Sequence, residues 1–286
     1  MSDGDDQTPT YVEQGKAFDR DMTYIPDRIT REGRAPEHGP VDGELWPVEP
    51  GRYRLIAAKA CPWANRSIIV RRLLGLEDVI SLGMPGPTHD KRSWTFDLDP
   101  GGVDPVLGIE RLQQAYFARF PDYPRDITVP AIVEVATGKV VTNDFPWITH
   151  DLFHEWRDHH RPGAPYLWPD DLREEMEQAM QRIFTGVNNG VYRCGFAGSQ
   201  AAYDAAYARL WEALGWLEER LSTRRFLLGG KPLSSELSAQ LLRPKDGYPR
   251  PWFSIATPPD LEQRRNRLLI ARLGGLILAS PDFQYR

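Results

Sequence analysis

The chain has 286 residues, 26% of them charged, a formal net charge of −5 and two cysteines. That length suits one large domain or two modest ones with a substantial core. An acidic balance without a basic stripe excludes a nucleic-acid footprint, two cysteines are too few for a disulfide framework, and no apolar run approaches a membrane span.

Residues 1–50 are polar and rich in Gly, Pro, Asp and Glu, and read as an extended arm rather than a packed domain. The acidic start, Ser2-Asp3-Gly4-Asp5-Asp6, predicts no secretory signal. From Gly51 the pattern becomes regular. The run Tyr53–Ala58 reads as a strand, and Asn65–Leu74, with Ile68, Ile69, Leu73 and Leu74 at near-helical spacing, reads as a helix. Between them stands Cys61-Pro62-Trp63-Ala64.

A Cys just before a Pro at a helix start lies in the positive end of the helix dipole, beside unpaired backbone N–H groups. Pro62 is tolerated there because a first-turn residue needs no donor. Such a setting favours thiolate over thiol, so the tetrapeptide predicts a nucleophilic sulfur. A buried inert thiol is the plainer alternative.

A strand over Val79–Leu82 follows, then a proline-rich segment from Gly83 to Asp126 carrying Trp94, Phe96, Tyr116, Phe117, Phe120 and Tyr123. Insertions of that length inside a domain are usually functional or interfacial. Thr128-Val129-Pro130-Ala131 then places a proline at the head of an apolar run, a placement that suits a cis X–Pro turn. In thiol-binding folds such a turn presents the backbone of the preceding residue to a peptide-like thiol. Ala131–Val135 and Lys139–Thr142 read as a hairpin, and Phe145–His159 closes the unit as a helix. Alternating β and α with a terminal hairpin predicts a thioredoxin-like α/β domain over residues 51–160.

Residues 161–169 form a proline-rich linker. An all-α domain over 161–230 is expected beyond it, from amphipathic patterns over Asp170–Asn188 and Gln200–Leu221. In the second pattern Tyr203, Tyr207, Leu210, Leu214 and Leu217 share one face. Residues 231–286 turn irregular and proline-rich, a divergent tail of uncertain structure, and the helical domain is expected to be incomplete.

The stretch from about Gly15 to Gly229 resembles the glutathionyl-hydroquinone reductases, the Xi class of glutathione transferases. The matching motifs are Gly15-Lys16-Ala17-Phe18 with Arg20, Gly51-Arg52-Tyr53, Ala60–Arg66, Arg71 with Gly75–Ser81, and Val129-Pro130. Asn188-Asn189-Gly190-Val191-Tyr192 with Gly195-Phe196-Ala197 resembles the family's helical-domain signature. Three features depart from it. Asn65 stands where the family usually has His, and Asp144-Phe145 where it has a Glu-Ser pair that grips the γ-glutamyl group. Beyond Gly230 the expected Glu-Ala-Asp-Val helix and a later Tyr and Cys segment have no counterpart. Divergence, truncation and a change of reading frame all remain open for that tail.

The resemblance implies a thiol-transfer enzyme, a homodimer in the cytoplasm, that removes a small thiol from a thio-conjugated hydroquinone through a Cys61 mixed disulfide. A second thiol then regenerates Cys61 by exchange. Ala64, at the place of a second Cys, fits this monothiol route. In the family's image Tyr192 is the acid or hydrogen-bond donor to the leaving phenolate, or else a packing residue. Trp63 and Trp94 flank the thiol pocket or belong to the core. Val129, before Pro130, offers backbone groups to the thiol's cysteinyl unit. Asp144 receives an ammonium or a sugar hydroxyl, or simply caps its helix. Phe145 removes a hydroxyl that a carboxylate would use, so the co-substrate is glutathione or another low-molecular-weight thiol such as mycothiol. With only six lysines against many arginines, the composition points to a high-GC genome, where mycothiol occurs.

Cys194 is a second thiol, resolving or inert. His150 and His154, four apart on one helix face, are better explained as a solvated face than as metal ligands, and no metal is expected. Two other readings stand beside the first. One is an omega-like transferase with dehydroascorbate or disulfide reductase activity. The other is an inactive, ligand-binding relative.

Overall fold

The computed structural model describes residues 12–228 except 36, 38, 39, 88, 91 and 225, so the tail over 231–286 lies outside the described residues. These residues fall into two compact units, one of residues 22–165 and one of residues 12–21 with 166–228.

The first unit is built on a four-stranded sheet ordered β2-β1-β5-β6, with β1 at Tyr53–Ile56, β2 at Ser81–Gly83, β5 at Ala131–Glu134 and β6 at Val140–Thr142. β1 and β2 run parallel; β5 pairs antiparallel with both β1 and β6. Every residue of β1, β5 and β6 is buried, so these strands are mostly apolar rather than alternating, and the two charged residues among them, Arg54 and Glu134, pair with Asp104 and Arg52. Helix α1 (Pro62–Leu74) links β1 to β2, and α3 (Phe145–His154) follows β6 and packs on α1. This is the thioredoxin-like layout expected.

Helix α1 begins three residues earlier than its apolar spacing indicates, because Pro62 already belongs to the first turn. It stops at Gly75, whose φ of 75° is the left-handed conformation of a helix C-cap. The Leu76 N–H returns to the Arg71 carbonyl at 3.0 Å. A side chain on Gly75 would also collide with Arg161, 2.6 Å away, whose N–H donates to the Leu74 carbonyl. Helix α3 is shorter than expected; after His154 the chain tightens into a 3₁₀ turn at Arg157–His159.

The inserted segment forms a two-stranded ribbon, β3 (His89–Asp90) with β4 (Ser93–Trp94), and helix α2 (Gln113–Arg119). Arg119 at the end of α2 is fully buried. It donates to the Val140 and Val141 carbonyls at 3.1 and 2.8 Å and pairs with Asp27 and Asp42.

The described residues of 22–50, expected as an arm without packing, carry little regular structure, yet several of them are firmly packed. Ile25, Ile29 and Trp46 are buried. The Ile25 N–H donates to Asn143 at 2.8 Å, its carbonyl accepts from Thr142 at 2.8 Å, and Tyr53 donates to the Pro47 carbonyl at 2.7 Å. Irregular backbone is held here by single side-chain bonds from the sheet edge.

The second unit is helical: α4 (Arg173–Ile183), a wide π turn (Phe184–Asn188), α5 (Asn189–Gly195) and α6 (Gln200–Ser222), the last capped by Ser199. Val187, Ala213 and Leu217 form its core, with Ile183, Leu210, Leu214, Trp216 and Leu227 against it. The buried stripe of α6 is rotated from the one expected. Ala206, Ala213, Leu217 and Leu221 face inward, while Tyr203, Tyr207 and Trp211 form an exposed stack. Gly186 approaches Ala213 so closely that a β-carbon there would lie 2.6 Å away, which demands small residues at the contact. Residues 12–21 lie along this unit: the Gly15 N–H donates to the Gly198 carbonyl at 2.9 Å and the Gly198 N–H to the Lys16 carbonyl at 2.8 Å.

Candidate active site

Cys61 is the N-cap of α1, with extended φ and ψ of −94° and 115°, and it is half-buried rather than sealed in hydrocarbon. No acidic side chain stands in the first turn of α1 to oppose a thiolate. Its Sγ lies 3.4 Å from the Val129 carbonyl oxygen, to which the thiol donates. The Val129–Pro130 bond is cis. Val129 is buried, and among the described residues its N–H has no acceptor. The two Cys-Pro and Val-Pro motifs, 68 residues apart, thus meet at one point.

That turn is held from both sides. Tyr116 donates to the Thr128 carbonyl at 2.9 Å, and Asn143 donates to the Thr128 hydroxyl at 2.8 Å. Burial pushes the Tyr116 phenol far up from its ordinary value, so it stays a donor. Both residues support the site; neither carries a sequence motif that announces it.

Trp63 is 7% exposed and packs its ring 4.5 Å from that of Phe145. Asp144 is the N-cap of α3, its carboxylate accepting from the Trp147 N–H at 3.4 Å. Burial pushes its carboxyl up from the ordinary value, opposed by that hydrogen bond. Arg66 lies over the Phe145 ring at 5.7 Å and donates to Thr149 at 2.9 Å. Cys61, Trp63 and Arg66 on α1, Asp144 and Phe145 at the start of α3, and the Val129–Pro130 turn therefore belong to one face of the first unit. Trp94 lies half-buried on β4, in the separate ribbon, its carbonyl accepting from the Leu112 N–H.

Tyr192 belongs to the second unit. It is half-buried on α5, its ring stacked 6.2 Å from Phe18 and capped by the Arg20 guanidinium at 4.2 Å. Arg20 also donates to the Asn189 side chain at 2.7 Å. The motif around Gly15–Arg20 and the motif around Asn188–Tyr192 are thus one cluster. Cys194, two residues on, is half-buried, and burial pushes its thiol up, which disfavours its ionisation.

His150 and His154 stack their rings 4.1 Å apart, and His150 borders the Arg28–Asp151 pair. Among the described residues no group of three or more His, Cys, Asp or Glu is arranged to hold a metal ion, and no helix is long and apolar enough to cross a membrane.

Residues 60–152 match the family model for the N-terminal domain of glutathione S-transferases. The chain is 34% identical to the glutathionyl-hydroquinone reductase YqjG of Escherichia coli over 78% of its own length and 67% of the relative's. It is 36% identical to the glutathionyl-hydroquinone reductase PcpF of Sphingobium chlorophenolicum over 66% of this chain, but spans only 60% of that protein. Among solved structures, a glutathione transferase from Gordonia bronchialis is 62% identical with a TM-score of 0.67, covering 77% of this chain and 65% of that one. The Xi transferase of Phanerochaete chrysosporium is 30% identical with a TM-score of 0.70, covering 83% and 73%. Cys61 at the helix start and the Val-Pro turn against it stand within the residues that the family model matches, and the chain belongs to the Xi-class, glutathionyl-hydroquinone reductase family of glutathione transferases.

Proposed function

We propose that this protein is a thiol-dependent reductase that removes a small thiol from thio-conjugated hydroquinones. The observation that carries this reading is Cys61 at the N-terminus of α1, 3.4 Å from the Val129 carbonyl. The Cys61 thiolate attacks the sulfur of the conjugate. A sulfur–sulfur bond forms, the ring carbon–sulfur bond breaks, and the ring takes a proton, for which Tyr192 is the proposed acid. The ring is reduced and the two sulfurs are oxidised to a disulfide. A second thiol then attacks that mixed disulfide, releasing the symmetrical disulfide and Cys61 thiolate.

Glutathione is the favoured thiol, because the E. coli relative has been solved with glutathione bound and mycothiol has no such support. The Val129 N–H and carbonyl are the proposed partners of its cysteinyl backbone. A homodimer in a reducing cytoplasm goes with this reading. Single-turnover incubation with a glutathionyl-hydroquinone, read by intact mass, tests it. The expected result is one thiol added to Cys61 and free hydroquinone released, with neither in Cys61→Ser. Turnover that survives in Cys61→Ser would overturn the mechanism.

A further inference from the structure

Among the described residues of the first unit four arginines are buried: three pair with a carboxylate and Arg71 donates to the Ile80 and Glu77 carbonyls, whereas the half-buried Arg66 has neither arrangement. Arg28 pairs with Asp151, Arg54 with Asp104 and Arg119 with Asp27; all three arginine side chains are at most 6% exposed. Arg66 has no carboxylate. Among the described residues its partners are the Thr149 hydroxyl at 2.9 Å and the face of Phe145. Thr149 gives its own proton to the Pro146 carbonyl at 2.9 Å, so it brings Arg66 one lone pair and no charge. One of five N–H donors is engaged, and the half-buried guanidinium leaves the others open to solvent.

A cation drawn partly out of water without an anion is a standing cost, and burial pulls Arg66 down from its ordinary range with nothing opposing. An incoming anion relieves that cost. Position says which anion. Arg66 is on the helix that Cys61 opens, and it shares Phe145 as a neighbour with Trp63, while Asp144 directly precedes that ring in the chain. A cationic side chain thus lies over the ring that follows Asp144 in the chain, on the face that carries the thiol.

We infer that Arg66 is the carboxylate receptor of the thiol site, and that the co-substrate carries a free α-amino-acid end, its carboxylate on Arg66. This inference rests on the mixed-disulfide reading above and adds the substrate class to it. A bidentate guanidinium–carboxylate pair replaces the hydroxyl donor that Phe145 cannot supply. A sugar-type thiol, with hydroxyls and amides but no carboxylate, leaves Arg66 uncompensated and is rejected.

The test compares two disulfides in exchange with Cys61: glutathione disulfide, and the disulfide of 4-aminobutyryl-cysteinyl-glycine, which lacks only the γ-glutamyl α-carboxylate. Exchange balances as Cys61 thiolate attacking one sulfur and the other half leaving as thiolate. The wild type is expected to react about ten- to hundredfold faster with glutathione disulfide, the range for a hydrogen-bonded charge. Arg66→Gln should lose that preference while keeping its rate with the analogue, and Arg66→Lys should recover part of it, which separates a lost receptor from a lost fold. Equal slowing of both disulfides in Arg66→Gln, or no preference in the wild type, overturns the assignment. A wild type that accepts neither disulfide on Cys61 removes the mixed-disulfide reading itself, an outcome distinct from either.

Discussion

A β-carbon on Gly198 would lie 1.7 Å from the carbonyl oxygen of Glu13. No side-chain rearrangement relieves an overlap with backbone, so residues 12–16 must leave the groove beside the α5–α6 connection. Gly198→Ala is therefore expected to break both backbone bonds between Gly198 and residues 15 and 16 and to destabilise the helical unit by about 2–4 kcal/mol. Denaturant melts measure this. A variant as stable as the wild type would mean that residues 12–16 are a bystander.

The buried Arg119 joins the inserted helix α2, strand β6 and the packed residues Asp27 and Asp42. Removing one carboxylate leaves a charge in the core with fewer partners. Asp27→Asn is expected to cost about 3–5 kcal/mol, the range for breaking a buried pair from one side. Proteolysis between residues 22 and 50 should rise in parallel, since Asp27 is one of their anchors.

Asp144 is held above its ordinary carboxyl range by burial. In acid, below the ionisation of the unfolded carboxyl, both states are protonated and no penalty exists. As pH rises the unfolded carboxyl ionises first, so the native state loses stability until Asp144 ionises too, and the loss then stays constant. Asparagine caps a helix equally well and never ionises. Asp144→Asn should match the wild type near pH 3 and exceed it in melting midpoint at pH 6–7, while binding the proposed thiol more weakly. A stability difference that does not change with pH would refute the titration argument.

Tyr192→Phe keeps the stack with Phe18 and the Arg20 contact, so melting should not change. If the phenol donates to the leaving ring, steady-state turnover of a hydroquinone conjugate should fall by about a hundredfold or more. Exchange of Cys61 with a simple disulfide should be unaffected. Intact conjugate turnover would remove Tyr192 from the chemistry.

The thiol end of the site is legible in sequence because its signals are local. Cys61-Pro62 marks a helix start and Val129-Pro130 a turn within two or three residues each, and the apolar runs on either side are buried on both faces. Residues 22–50 were not legible as packed. Ile25, Ile29 and Trp46 are too few and too scattered to show a period, and the side chains that hold the Ile25 backbone, Thr142 and Asn143, lie 117 and 118 residues away. The role of Arg66 is hidden for another reason: what marks it is the carboxylate it lacks, and a sequence does not show which charges stay unpaired. Periodicity assigns the larger Tyr203 and Tyr207 of α6 inward, whereas the close approach of Gly186 selects the face that carries Ala213, with Leu217 beside it in the core.

The π turn at Phe184–Asn188 uses a wider ring of backbone than the helix on either side. Its effect is angular. Removing one residue from those five would restore an even spiral with little rotation downstream, because the wide turn winds its extra residue into one turn. The same deletion in α5 ahead of Tyr192 would swing the phenol by roughly 100°, the angle of one helical step. Only in that second deletion would Tyr192 turn from Phe18 and Arg20, even though all the side chains it needs were still encoded. The aim of that phenol is set by the count of peptide units between the wide turn and Tyr192, and the wide turn itself is where a lost residue disturbs that aim least.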